Sequence, residues 1–150
     1  MNDVVVHVPT AEDMRRLGAA LGRGAVAGDR FLLFGPFGAG KTTFVQGLAR
    51  GLDVQTPVGS PSFVIETQYR GRLTLYHIDL YRVDRVEPDL AEELEEDLFN
   101  DGVAAVEWAE RLPPELAADA THAQFQIHED GRIVTLSGDD ERITAALEHR

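Results

Sequence analysis

The sequence predicts an α/β fold in which helices flank a mixed parallel and antiparallel β-sheet. In the first half of the chain, short apolar runs alternate with segments of helical spacing, as in sheets built from strand–helix units. Two hairpin signals, at residues 70–72 and 129–131, interrupt this alternation and indicate antiparallel strands. The length of 150 residues suits one domain with its own core, so residues 1–150 are predicted to form a single domain.

The first half of the chain contains two predicted strand–helix units. Val4–Val8 is short and β-branched, which indicates a strand, and Thr10 marks the start of a helix whose apolar spacing extends to Gly28. The apolar run Arg30–Phe34 ends at a glycine and indicates a buried strand. Residues 41–52 have the apolar spacing of the next helix.

The rest of the chain contains five predicted strands and two predicted helices. In chain order they are the strands 63–69 and 73–80, the helix 88–99, the strands 103–106, 123–128 and 132–137, and the helix 139–149. The strands 63–69 and 73–80 form one predicted hairpin, and the strands 123–128 and 132–137 form the other.

A glycine-rich segment between the second strand and the second helix matches the pattern G-x-x-x-x-G-K-[ST]. In this pattern, glycines let backbone N–H groups surround a phosphate at a helix N-terminus. Lys41 is expected to contact the β- and γ-phosphates, Thr42 to ligate Mg²⁺, and Thr43 to contact the α-phosphate. The chain is thus predicted to be a single-domain P-loop NTPase. The nucleotide-binding residues predicted here are Gly35, Phe37, Gly38, Ala39, Gly40, Lys41, Thr42 and Thr43.

Two acidic residues are candidates for the rest of the catalytic site. A P-loop ATPase needs a carboxylate for Mg²⁺ or its waters, and a group that orients the attacking water. Asp79 and Glu107 each follow an apolar run, where a carboxylate is costly to bury unless a cation lies beside it. Lys41, Asp79 and Glu107 are therefore the predicted catalytic residues. The sequence leaves open which carboxylate orients the water.

The sequence favours ATP over GTP. The two asparagines, Asn2 and Asn100, do not lie in an Asn-Lys-x-Asp guanine motif. A small-molecule kinase is an alternative, although the segments between the core elements are too short for a substrate domain and a lid. A second alternative is an adaptor that senses ATP and does not require hydrolysis.

Three segments have both an ordinary structural interpretation and a functional one. Ser60 and Ser62 belong either to a plain turn or to a switch loop that senses the γ-phosphate. Trp108 is either a packing aromatic or a group that fixes Glu107 or faces a partner. The acidic run 92–97 is either a solvated helix face or a docking face for a basic partner.

Composition argues against direct binding of nucleic acid. Lys and Arg total 14 and Asp and Glu total 26, which gives a net charge of −12, whereas phosphate backbones are bound by clustered cations. The chain has no cysteine, so disulfides and thiolate metal sites are excluded. No basic n-region precedes an apolar stretch, and no apolar run approaches the roughly 20 residues of a membrane span. We expect a cytoplasmic protein without membrane contact.

Four blocks in this order, GPFGAGKTTF, SPSF, YHIDLYRV and VEWAE, resemble the TsaE (YjeE) family of bacterial P-loop ATPases. The resemblance spans nearly the whole chain. It implies that Lys41 and Thr42 bind phosphate and Mg²⁺, that Asp79 occupies the acidic position of the H-x-D-x-Y-R block, and that Glu107 is the metal-side glutamate. Arg132 lies where members often have a basic residue near the nucleotide.

The resemblance also implies a function. The protein would be a weak ATPase that binds ATP or ADP with Mg²⁺ and acts on TsaD-like and TsaB-like subunits, which modify the adenosine 3′ of the tRNA anticodon. Hydrolysis would reset that complex between rounds, the tRNA would be held by the partners, and the isolated chain is expected to be a monomer. On this interpretation His77, Tyr81 and Arg82 hold Asp79 or a partner surface and are not catalysts.

Overall fold

The computed structural model describes residues 3–59 and 65–148, which form a seven-stranded sheet with helices on both faces. The elements are β1 Val4–Val8, α1 Ala11–Arg23, β2 Arg30–Phe34, α2 Lys41–Gly51, β3 Glu66–Tyr69, β4 Leu75–Asp79, α3 Pro88–Leu98, β5 Val103–Glu107, β6 Thr121–His128, β7 Gly131–Ser137 and α4 Asp140–Leu147. Two 3₁₀ turns, Ala109–Arg111 and Pro114–Leu116, follow β5.

The strand order is β1-β7-β6-β2-β5-β4-β3. The four neighbouring strands β6, β2, β5 and β4 run parallel to one another, while β3 pairs antiparallel with β4, and β7 pairs antiparallel with both β6 and β1. The predicted α/β class with a mixed sheet is confirmed. Because β2, β5 and β4 are parallel neighbours, their carboxyl ends lie at one edge of the sheet.

Apolar side chains fill the space on both faces of the sheet. On one face, α1 and α2 cover the sheet with buried residues that include Leu17, Phe44 and Leu48. On the other face, α3 contributes Leu94 and Leu98, together with the turns after β5. The central strands are therefore buried on both sides, which explains why their sequences are continuous apolar runs.

Helix α1 ends at Arg23, so the predicted extension to Gly28 is wrong. The Arg72 guanidinium donates to the carbonyls of Gly22, at 2.7 Å, and of Ala25, at 3.2 Å. Beyond this point the Gly28 N–H donates to the Gly102 carbonyl at 2.8 Å. A side chain from a distant turn thus satisfies the terminal carbonyls, and the chain turns toward β2.

The ends of other predicted elements shift by one or two residues where the structure describes them. The helix 88–99 ends at Leu98, the strand 73–80 narrows to Leu75–Asp79, and the strand 123–128 begins earlier, at Thr121. The predicted strand 63–69 and the predicted helix 139–149 each include residues outside the described ranges. Within those ranges, no helix has the length and apolar character to cross a membrane.

Helices α1 and α2 approach so closely that glycine is required where they cross. A Cβ atom on Gly47 of α2 would lie 2.2 Å from the Arg15 carbonyl oxygen, and one on Gly18 of α1 would lie 2.3 Å from the Phe44 carbonyl oxygen. Both obstructing atoms belong to helical backbone, which cannot move independently of its helix. The position of α2, and of the loop before it, is therefore fixed against α1.

The acidic run 92–97 lies on α3, and most of it is exposed. Leu94 packs inward, whereas Asp97 is half-buried beside Glu66 of β3. Burial, together with a hydrogen bond with Asp97, raises the pKa of Glu66 to about 7, although the hydrogen bond from the Gln68 amide opposes this shift. Glu66 thus retains its proton at mildly acidic pH.

We expect Gly47→Ala to destabilise the fold by at least about 2 kcal/mol, because the added methyl group meets helical backbone. The direction of the change in the free energy of unfolding distinguishes the two effects, since alanine in a helix is otherwise about 1 kcal/mol more favourable than glycine. Chemical denaturation measures the change. Gly59→Ala is the control, because no atom of residues 3–59 and 65–148 lies within 4 Å of the added methyl. Equal stability of the two variants would refute the close approach.

We expect Glu66→Gln to be more stable than the unsubstituted chain above about pH 7, with the difference shrinking as the pH falls toward about 4.5. Because folding raises the pKa of Glu66, its stabilising contribution is present at low pH and is lost as pH rises through the folded value. Thermal unfolding at several pH values measures this. Glu96→Gln, on the exposed face of α3, is the charge-matched control. A pH-independent difference would contradict the prediction.

Candidate nucleotide site

The candidate site lies at the sheet edge where β2, β5 and β4 end. β2 leads into the glycine-rich loop, and α2 begins at Lys41. Asp79 and Glu107 are the last residues of β4 and β5, and they are paired in register. Leu33, near the end of β2, is paired with Glu107. The topology therefore brings both candidate carboxylates beside the loop.

The loop backbone adopts conformations that favour glycine. Gly38 has φ +79° and Gly40 has φ +102°, both in the left-handed region. Gly40 is the N-cap of α2, so the N–H groups of the first turn of that helix have no capping side chain and adjoin the loop. This arrangement of loop and helix is suited to binding a phosphate group.

Lys41 is almost fully buried beneath the loop. Its Nζ atom donates to the Gly35 carbonyl at 2.5 Å and lies 3.7 Å from the centroid of the Trp108 ring. Burial lowers the pKa of Lys41, while the nearby carboxylates of Glu110, Glu107 and Asp79 oppose this shift. The ammonium group thus contacts a carbonyl and an aromatic face, which are weaker partners than a phosphate anion.

Thr42 and Glu107 are directly hydrogen-bonded. The Thr42 Oγ1 atom lies 3.0 Å from Glu107 Oε1 and 3.1 Å from Oε2, and the hydroxyl donates to this carboxylate. Glu107 is 3% exposed. Its Oε2 atom also lies 2.6 Å from Nε2 of His77, a residue with no exposed surface.

Asp79 is half-buried at the end of β4, and a turn over residues 80–83 follows it. One oxygen, Oδ1, accepts from the backbone N–H of Tyr81 at 2.9 Å. The Arg111 guanidinium donates to the carbonyls of Leu80, at 2.8 Å, and of Val83, at 3.1 Å, and also to that of Tyr81. Arg111 therefore fixes the turn that orients Asp79.

Three aromatic side chains extend from the tip of the loop to Lys41. Phe37 is 74% exposed, and its ring centroid lies 5.6 Å from that of Tyr81. The Tyr81 ring lies 5.2 Å from the Trp108 ring, and Trp108 itself has φ 58°. Trp108 thus packs against Lys41, whereas sequence alone left its role open.

Arg132 approaches the loop from β7. Its Nε and Nη2 atoms donate to the Gly38 carbonyl at 3.3 and 3.2 Å. Arg132 and Thr43 both line a cavity of about 240 Å³, together with Thr10 and Met14. This cavity lies beside the loop, at the start of α1.

The described residues contain no group of three or more His, Asp or Glu side chains that could hold a metal ion by themselves. Mg²⁺ in nucleotide sites is usually held by one or two protein oxygens together with phosphates and water. The pair formed by Thr42 and Glu107 fits that donor set. A cage for Ca²⁺ or a zinc centre has no counterpart in this part of the chain.

The structure brings Lys41, Thr42, Asp79 and Glu107 together at the loop, while Thr43 and Arg132 line the neighbouring cavity and Phe37 is exposed at the loop tip. The interpretation that His77 holds Asp79 or a partner surface is wrong, because the buried His77 ring contacts Glu107. Ser60 and Ser62 lie outside the described residues.

Sequence reasoning missed two residues. Arg111 binds the carbonyls of the turn at residues 80–83, and the charge of Glu110 opposes the lowering of the pKa of Lys41 by burial. Both residues follow Trp108 within four positions, so the available signal was their closeness to Glu107 in the chain. The contact of His77 with Glu107 could also have been inferred. His77 lies two residues before Asp79, so both side chains are on one face of a strand that pairs with β5.

Comparison with known proteins identifies the family. The sequence model of the family described as "Threonylcarbamoyl adenosine biosynthesis protein TsaE" matches residues 8–135. The chain belongs to the TsaE family. The resemblance of the four sequence blocks is thereby confirmed, and family membership implies a P-loop-type nucleotide-binding protein in tRNA threonylcarbamoyladenosine biosynthesis.

Individual members of the family are similar in sequence to this chain over most of their length. The TsaE protein of Treponema pallidum is 38% identical over 129 residues, which cover 85% of this chain and 96% of the relative. The TsaE protein of Mycobacterium bovis is 39% identical over 145 residues, covering 91% and 82% of the two chains. The crystal structure of YdiB from Bacillus subtilis superposes with a TM-score of 0.77 at 29% identity. The match covers 99% of this chain and 93% of the YdiB chain.

We expect Arg111→Met to loosen the turn after β4, because three carbonyls lose a charged donor. Hydrogen exchange at residues 80–83 should accelerate at least tenfold, while exchange in α1 and α2 is unchanged. Arg85→Met is the matched control, since Arg85 is exposed and its ion pair with Glu87, at 3.8 Å, lies on the surface. Unaltered exchange in the turn would show that Arg111 does not fix it.

Proposed function

We propose that this chain is a weak ATPase that supports tRNA threonylcarbamoyladenosine formation over many turnovers. The observation that best supports this function is the hydrogen bond from Thr42 to the buried Glu107 directly below the glycine loop. In P-loop ATPases, a hydroxyl and a carboxylate at these positions serve the metal that accompanies the triphosphate. Membership of the TsaE family supplies the biological setting.

ATP would bind with its phosphates in the loop formed by residues 35–43. Lys41 would leave the Gly35 carbonyl and the Trp108 ring to contact the β- and γ-phosphates, because an anion is the stronger partner. The cavity between Thr43 and Arg132 has space for the nucleoside end of the ligand. The absence of a guanine motif from the sequence supports ATP over GTP.

Thr42 and Glu107 would hold Mg²⁺, Thr42 through its hydroxyl oxygen and Glu107 through its carboxylate. When bound, the ion neutralises charge on the β- and γ-phosphate oxygens. The Thr42 hydroxyl donates its proton to Glu107, so its oxygen lone pairs remain available as acceptors. The buried carboxylate would gain a cationic neighbour, which offsets the cost of its burial.

Asp79 would orient the attacking water, since Glu107 is already bound to Thr42 and His77. The water oxygen bonds to the γ-phosphorus as the bond from phosphorus to the β,γ-bridging oxygen breaks. ADP keeps the bridging oxygen, and the proton released by the water passes to Asp79 or to a phosphate oxygen. Lys41 would stabilise the charge that develops on the bridging oxygen.

The partners we propose are the TsaD-like and TsaB-like subunits, which would bind the tRNA and catalyse its modification. The net charge of −12 supports an indirect role toward tRNA, because the chain offers few cations to a phosphate backbone. Hydrolysis would return the complex to a state that accepts the next substrate. This activity belongs in the cytoplasm, where tRNA is modified.

Reconstitution with the transferase pair and tRNA tests the proposal. We expect Lys41→Met and Glu107→Gln to lower ATP hydrolysis by roughly 10²-fold or more, and to stop modification after about one round per complex. Glu115→Gln, an exposed change in the second 3₁₀ turn after β5, should match the unsubstituted chain. Sustained multiple turnover with Glu107→Gln would refute the ATPase role. ATP-dependent assembly without a need for hydrolysis would instead identify an adaptor.

A further inference from the structure

We propose that His77 is a positioning residue that holds the Glu107 carboxylate in place for Thr42, and so sets the affinity of the site for nucleotide with Mg²⁺. This inference rests on the proposed nucleotide site. His77 lies in the middle of β4, and Glu107 ends the neighbouring β5. Nothing in the reaction requires His77 to touch the nucleotide, because it lies behind Glu107.

The contact between His77 and Glu107 is isolated from solvent. Neither His77, with no exposed surface, nor Glu107, 3% exposed, can exchange its hydrogen bond for bulk water. His77 is paired in register with Ala105, and Glu107 with Asp79, so the ring extends along the sheet to reach the carboxylate. A buried carboxylate without such a donor is unfavourable, which gives the histidine a defined task.

The two ring nitrogens of His77 have different surroundings. Nε2 lies 2.6 Å from Glu107 Oε2, whereas Nδ1 is buried and has no hydrogen-bond partner among residues 3–59 and 65–148. A single proton on Nε2 satisfies the carboxylate and leaves no buried N–H group at Nδ1 without an acceptor. His77 therefore donates from Nε2 to Glu107 and does not donate from Nδ1.

The hydrogen bond from His77 sets the orientation of the Glu107 carboxylate, and this orientation brings the carboxylate to the Thr42 hydroxyl. With Oε2 bound to His77, both carboxylate oxygens stay within 3.1 Å of the Thr42 hydroxyl. Without the imidazole, the carboxylate would lack its second donor and could rotate away from Thr42. Loss of an outer partner of a metal ligand typically lowers metal affinity by about 10- to 100-fold.

The test compares His77→Gln with His77→Asn. The glutamine amide nitrogen reaches the position of Nε2 and can donate to Glu107, while the asparagine amide is too short. Calorimetry measures the affinity for a non-hydrolysable ATP analogue in excess Mg²⁺ and in EDTA. We expect the gain from Mg²⁺ to fall about 10- to 100-fold in His77→Asn and to be kept within about threefold in His77→Gln. Affinity in EDTA should be unchanged.

A second measurement does not depend on the nucleotide. Nitrogen-15 NMR of the protein alone should show the His77 proton on Nε2 and not on Nδ1. Equal gains from Mg²⁺ in His77→Asn and His77→Gln, or a proton on Nδ1, would overturn the positioning role while leaving the proposed nucleotide site intact. An unsubstituted chain that binds no analogue in either condition would instead overturn the nucleotide site.

Discussion

Burial of one carboxylate at the end of a central strand constrains the rest of the site. Glu107 has almost no contact with solvent, so every charge and hydrogen bond that it needs must come from nearby residues. Thr42 supplies one donor from the start of α2, and His77 supplies another from β4. The parallel pairing of β2, β5 and β4 is what brings these three groups together. A different strand order would separate these three groups, so the chemistry of the site depends on the order of the strands.

The packing of α1 on α2 gives this site its rigidity. Helix α2 begins at Lys41, so any movement of the helix would shift Lys41 and Thr42 relative to Glu107. The backbones of the two helices meet where glycine leaves no side chain between them, and such a contact cannot slide without atomic overlap. The loop is thereby supported from below by α1 and from the side by Arg132, whose guanidinium binds the Gly38 carbonyl.

Local patterns predicted the loop, and most of the strands and helices, well. The glycine loop is a continuous segment, and Asp79 and Glu107 stand out because each ends an apolar run. The contacts that sequence reasoning missed join residues far apart in the chain. His77 meets Glu107 only through the register of β4 and β5, and Arg72 ends α1 from across the fold. Periodicity within a segment contains no information about such partners, which explains the wrong helix end and the wrong role for His77.

The contact between Lys41 and Trp108 has a practical consequence. Trp108 is the only tryptophan of the chain, so its ring is the sole source of indole fluorescence. Under the proposed function, the cation at 3.7 Å from that ring is the group that would turn toward a bound phosphate. Emission from the unlabelled protein would therefore change when that lysine moves, because a charge this close to an indole perturbs its excited state. For the proposed nucleotide site, the fold thus supplies an optical probe of its own.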